Sequence, residues 1–128
     1  FLACADGRSV CCLEATPALF NPNGVMHGAA IYALADTGMG AAVASLLAAG
    51  EQCATVEIKI SYLRPVRQGL LRCEAQMLQK GRRVAFLTAA IYLEDKLVAH
   101  ATGTFAVTAN APGDDSERRS GQVPDVGT

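Results

Sequence analysis

The chain contains no tryptophan, only two histidines, and 5% aromatic residues in all. Its charged fraction is 18% and its net charge −1, against about a quarter charged in ordinary globular domains. With no surplus of positive charge, and with basic residues scattered rather than interleaved with aromatics, the chain has nothing to neutralise a phosphate backbone or to stack on bases. Nucleic acid is therefore not expected as a partner. None of the five cysteines (Cys4, Cys11, Cys12, Cys53, Cys73) stands in C-x-x-C spacing, and with so few histidines no metal site is expected. The odd cysteine count reads as small buried hydrophobes in a reducing compartment, which makes the cytoplasm the expected location. The N-terminus has no basic segment followed by an apolar core, so no signal peptide is expected.

What is abundant is small apolar surface. Hydrophobic residues make up 51% of the 128, much of that alanine. This is one domain with a full core and apolar surface to spare, so self-association is expected. The longest apolar stretch, residues 29–49, is rich in Ala and Gly and carries Asp36 within it. A central carboxylate and mostly Ala argue against a membrane span. Residues 27–49 read instead as one long helix enclosed by other structure and ended by Gly50 at the C′ position. Gly28, Gly38 and Gly40 lower its helix propensity, which makes sense where its backbone must approach a sheet or a partner closely.

The other segments carry strand periods. Residues 8–16 read as a first strand, and Pro17 with Asn21-Pro22-Asn23-Gly24 marks a loop. Residues 56–62 and 71–78 alternate apolar and polar side chains, 84–93 are apolar on both faces, 94–96 form a hairpin turn, and 97–108 make the last strand. Short links favour an antiparallel meander. One strand, one apolar helix and four strands give an α+β layout, with a curled antiparallel sheet wrapped around one long central helix. Residues 1–108 form the domain. The polar 109–128 segment is expected to be a disordered tail.

Asp36 is the informative residue. A carboxylate in an apolar run must be paired or used. It follows His27 by nine positions. On one helix that spacing leaves the two side chains on opposite faces and about 13.5 Å apart along the axis. If both serve one site, a second chain has to supply one of them.

The set Asn21-x5-His27-Gly28-x7-Asp36, the segment Thr55-Val-Glu-Ile-Lys-Ile-Ser-Tyr62-Leu-Arg64-Pro65, and Lys80-Gly81-Arg82 resemble the hotdog-fold acyl-CoA thioesterases of the phenylacetate-degradation type. The similarity covers roughly residues 10–107. The family commonly has His-Gly-Gly where this chain has His27-Gly28-Ala29, which bears on how closely substrate approaches at the second position. The resemblance implies a hotdog fold whose sheets join edge to edge in a dimer or dimer of dimers. It also implies a coenzyme A thioester as substrate, no separate cofactor, and a site at the dimer interface. By the same resemblance Asp36 is general base or nucleophile, the Gly28 amide stabilises the oxyanion, Asn21 and His27 orient thioester or water, and Thr55 positions Asp36 or water. Arg64, Pro65, Lys80, Gly81 and Arg82 would contact the CoA moiety. The physics agrees for Gly28, whose N–H in the first helical turn is unpaired and at the positive end of the dipole.

Each residue also has a plainer reading. Asp36 alone is a core hydrogen-bonding group, His27 a helix-start residue, Asn21 a turn residue beside Pro22, Thr55 an ordinary strand residue, and Arg82 and Arg83 solvated turn charges. Tyr32, Tyr62 and Tyr92 read as core or groove-wall aromatics, Tyr32 as a candidate lining of the acyl pocket, and His100 as structural. Two rival functions stand beside the thioesterase: a hotdog hydratase or dehydratase acting on acyl thioesters, and a non-catalytic acyl-CoA-binding module.

Overall fold

Period-two patterning in the second half of the chain produces four long strands, and their inward faces form the bed on which the central helix lies. The computed structural model describes residues 1–109; the remainder of the expected tail lies outside the described residues. In chain order the elements are β1 (Ala3–Ala5), β2 (Arg8–Glu14), a short 3-10 turn (Pro17–Leu19), α1 (Gly28–Ala44), β3 (Glu51–Tyr62), β4 (Leu70–Lys80), β5 (Val84–Leu93) and β6 (Lys96–Ala109). All six strands form one antiparallel sheet in the order β1-β2-β4-β5-β6-β3. This is the expected α+β hotdog layout.

Four expectations need correction. A further strand, β1, precedes the first expected one and forms a hairpin with it; Asp6 and Gly7, both at positive φ (53° and 78°), make the turn. The helix ends at Ala44 rather than at residue 49. Ser45 stops it: its hydroxyl donates to Ala42 O at 2.7 Å and accepts the Gly7 N–H at 2.8 Å. Gly50, at φ +81°, instead turns the chain into β3. The strands β4, β5 and β6 do form a meander, but β3 docks on the far side of β6, because β2 occupies the place beside β4. The β3–β4 link therefore crosses the end of the sheet, its Val66 buried and Val66 O accepting the Met26 N–H at 2.7 Å. Fourth, the helix is not enclosed all round. Ala29, Tyr32, Ala33, Thr37 and Ala44 are exposed, since one six-stranded sheet covers only one side of a cylinder.

The covered side of α1 is Ile31, Leu34, Ala35, Gly38, Met39, Ala42 and Val43. It packs on inward residues of the central strands such as Leu71, Leu87, Ile91 and Phe105, each such side chain contributing roughly 1.5–3 kcal/mol when fully buried. Gly38 sets how close the helix lies. A Cβ there would stand 2.8 Å from Cys73 Sγ and 3.4 Å from Cys11 Sγ, and Ser9 Oγ donates to Gly38 O at 2.5 Å. Gly40 has no such need, its nearest neighbour being Phe105 Cε2 at 3.7 Å. Only Cys11 and Cys73 of the five free cysteines are buried. They face each other across β2 and β4. The hydrogen bond between them, with burial, pushes the Cys73 thiol up, while the same bond holds Cys11 down at about 7.

Candidate active site

Asp36 lies on α1 where the helix borders β3. It is half-buried, less desolvated than its apolar neighbours in sequence suggest, because the open side of the helix begins there. Thr55 Oγ1 donates to its Oδ1 at 2.6 Å, so the expected partnership of Thr55 with Asp36 exists within one chain. The other carboxylate oxygen has no hydrogen-bond partner among the described residues. Cys53, two residues before Thr55 on the same face of β3, has its thiol pushed up by burial and by the Asp36 charge.

Gly28 sits at the N-terminal end of the same helix, two turns before Asp36. It is the first helical residue, and its N–H has no acceptor among the described residues, as expected of a first-turn amide. His27 precedes it as the N-cap (φ −62°, ψ 133°), an exposed side chain whose Nδ1 accepts the Ala29 N–H at 3.4 Å. Beside Gly28 opens a cleft of about 350 Å³, lined by Met26, Ile31, Tyr62, Arg64 and Pro65 among others. Gly28, Arg64 and Pro65 are thus brought together. Asn21 closes the loop that leads into this corner. Its Oδ1 accepts the Asn23 N–H at 2.9 Å and the Val25 N–H at 3.4 Å, so half of its amide is committed to the turn.

The two clusters do not meet in one chain. Eight residues of helix from Gly28 to Asp36 amount to about 12 Å of rise. The other expected CoA contacts lie farther off. Lys80 ends β4, and Gly81 begins the turn, its N–H bonded to Val84 O at 2.8 Å. Arg82 and Arg83 line a groove of about 510 Å³ with Glu51 and residues 106–109. Glu51 starts β3 and Tyr62 ends it, so the Arg82 groove and the Arg64 cleft sit at opposite ends of a strand about 36 Å long. Among the described residues no group of three or more His, Cys, Asp or Glu side chains is placed to hold a metal ion, and no helix is long and apolar enough to cross a membrane.

One device on β3 serves both clusters. Its register with β6 shifts between Thr55 and Glu57, leaving Val56 as a bulge, 61% exposed. Before the bulge Cys53 and Thr55 face the helix, opposite the buried Val107 and Phe105; after it Ile58, Ile60 and Tyr62 do, opposite Gly103, Ala101 and Ala99. Strict alternation over residues 56–62 hides this, because Val56 appears to belong to the inward set. Tyr62, expected as a core or groove-wall aromatic, does line the cleft, and it has a further role. Its hydroxyl in fact donates to Gly28 O at 2.8 Å. The available signal was an aromatic with a polar tip at the end of a half-buried strand.

Comparison with known proteins follows the same span. The Thioesterase superfamily matches residues 23–100. A conserved protein of Pseudomonas aeruginosa superposes with a TM-score of 0.81 at 40% identity, covering 84% of this chain and 86% of that one. A phenylacetic acid degradation-related protein from Ralstonia eutropha JMP134 superposes with a TM-score of 0.75 at 34% identity, covering 78% and 76%. A curated Pseudomonas aeruginosa protein with a provisional esterase name is 31% identical over 86 residues, which is 66% of this chain and 64% of its own length. A second curated relative, from Saccharolobus solfataricus, is matched over 56% of its length, so the chain spans less than two thirds of either.

Proposed function

The chain belongs to the thioesterase superfamily, a family of thioester hydrolases, and from that premise we propose that it cleaves the thioester of an acyl- or aryl-CoA to free acid and CoA at a site shared by two chains. The observation that carries the reading is the place of β3 at the edge of the described sheet. This strand is twelve residues long, has a paired neighbour on one side only among the described residues, and from residue 53 onward presents its other row of backbone groups for pairing. A second copy added antiparallel across a two-fold axis reverses the strand. A register that sets Tyr62 opposite the partner's Thr55 carries the partner's Asp36 to the Gly28 cleft. The same register swings the partner's Lys80, Gly81 and Arg82 toward Arg64 and Pro65. Both half-sites, incomplete in one chain, then complete each other, and the basic residues gather where the phosphates of CoA would lie.

In that arrangement the thioester carbonyl oxygen rests on the unpaired Gly28 N–H, where the helix dipole favours the charge that develops on it. Asp36 either takes a proton from the attacking water or attacks the carbonyl carbon itself. Thr55 holds one carboxylate oxygen and leaves the other to react. The free amide group of Asn21 and the exposed His27 ring orient the ester and the water. The carbon–sulfur bond breaks, water supplies the hydroxyl of the acid, and its remaining proton ends on the thiol of CoA.

The test is free-thiol release from a panel of acyl- and aryl-CoA esters by the wild type and by Asp36→Ala. Turnover by the wild type and its loss in the variant are expected. Equal turnover in both removes Asp36 from the mechanism, and no turnover with any ester removes the activity. Hydration of an enoyl-CoA in its place would favour the hydratase reading.

A further inference from the structure

Tyr62 ties the edge strand β3 to the corner that holds the Gly28 amide, and no step above uses it. Its hydroxyl donates to Gly28 O at 2.8 Å. Its ring lies so close that a Cβ on Gly28 would stand 3.1 Å from Cζ and 3.3 Å from the hydroxyl oxygen. A carbonyl oxygen has two lone pairs, so Gly28 O takes the phenol beside the ordinary helical bond from residue 32. The other side-chain tie on this turn is weak, the 3.4 Å contact of His27 Nδ1 with the Ala29 N–H. First turns fray readily, and here the phenol is the firmer of the two holds.

Resting on the thioesterase reading above, we infer that Tyr62 is a positioning residue for hydrolysis: by holding the first turn of α1 against β3 it fixes the direction in which the Gly28 N–H meets the substrate oxygen. An oxyanion donor is effective only when preorganised at the point where charge develops, and an N–H at a frayed terminus is not. Burial and the neighbouring Tyr32 push the Tyr62 phenol above its ordinary 10.0, so it stays a donor through the neutral range. The same clamp explains why position 28 is glycine. A methyl group there would press on the ring and loosen the contact.

The experiment is Tyr62→Phe, which keeps the ring and removes only the hydroxyl. Tyr62 is 50% exposed, so the variant is expected to fold, and its melting temperature is recorded beside the wild type. One lost hydrogen bond should lower kcat roughly tenfold, with KM for the CoA ester unchanged. In the substrate-free protein, the Gly28 carbonyl carbon resonance should move upfield as its second donor disappears. A KM rise at constant kcat would make Tyr62 a substrate contact and overturn the inference. So would unchanged kcat, or a fall in kcat with the Gly28 carbonyl resonance unmoved. A wild type that hydrolyses no ester defeats the thioesterase reading and with it the role in turnover, whereas the carbonyl resonance reports separately on the clamp.

Discussion

If Asp36 and Gly28 act on one substrate from different chains, two dead variants should revive each other. Within a chain the eight helical steps from one to the other give about 12 Å of rise and about 80° of rotation, more than an aspartate side chain spans. Asp36→Asn removes the base or nucleophile, a loss of 10²–10⁴-fold as an order of magnitude. Gly28→Pro removes the oxyanion donor with a backbone that suits the helix start, because proline fits the first helical position and His27 already has the extended backbone (φ −62°, ψ 133°) that precedes a proline; the added ring presses on Tyr62 only at the corner this variant already disables. That loss should be on the order of 10²–10³-fold. Mixed in equal amounts, unfolded together and refolded, the two variants pair at random, and about one site in four unites an intact Gly28 with an intact partner's Asp36. Thiol release should therefore climb from near background to about a quarter of wild type, whether dimers pair further or not. If the refolded mixture is no more active than the mean of the variants refolded separately, the two groups do not meet across chains and the shared site is wrong.

Two further outcomes follow from packing and protonation. Gly38→Ala gains about 1 kcal/mol of helix propensity but drives a Cβ to 2.8 Å from Cys73 Sγ, an overpacking that costs about 1–3 kcal/mol. Its denaturation midpoint should fall, whereas that of Gly40→Ala, with 3.7 Å of clearance, should rise; midpoints moving together would mean the helix does not lie so close at Gly38. The raised Tyr62 phenol has a defined sign. The folded state holds the proton more tightly than the unfolded one, so its contribution to stability is complete below the ordinary 10.0 and fades as pH rises through the folded value. Wild-type melting temperature should therefore decline more steeply above pH 10.0 than that of Tyr62→Phe, and parallel curves would refute the assignment.

Element type was legible where periodicity was strong. Residues 71–78 and 84–93 lie inside β4 and β5, and the apolar run became the one helix. Its end was not legible, because Ser45 stops it through Gly7, a contact thirty-eight residues distant in sequence. The neighbour of β3 was not legible either, since pairing with β6 rather than β4 is decided by where β2 inserts. The likeness of Asn21, His27, Gly28, Asp36 and Thr55 to one family picked out residues that the structure sorts into two clusters. The bond between Thr55 and Asp36 and the cleft joining Gly28 to Arg64 depend on which faces of β3 and α1 oppose one another, and that depends on a bulge alternation cannot reveal.

Thr55 and Tyr62 are seven positions apart, an odd count, and a regular ribbon would send their side chains to opposite sides. The supernumerary Val56 supplies the half-step that returns them to the same side. This strand is therefore phase-sensitive in a way a ruler of residue types does not capture. Exchanging Val56 for another small residue leaves the phase intact. Dropping one residue between 57 and 61 while the kink persists would aim the phenol outward, detach the start of the helix from it, and leave Asp36 with its threonine undisturbed. A length change far from the acid would disable its counterpart at the other end.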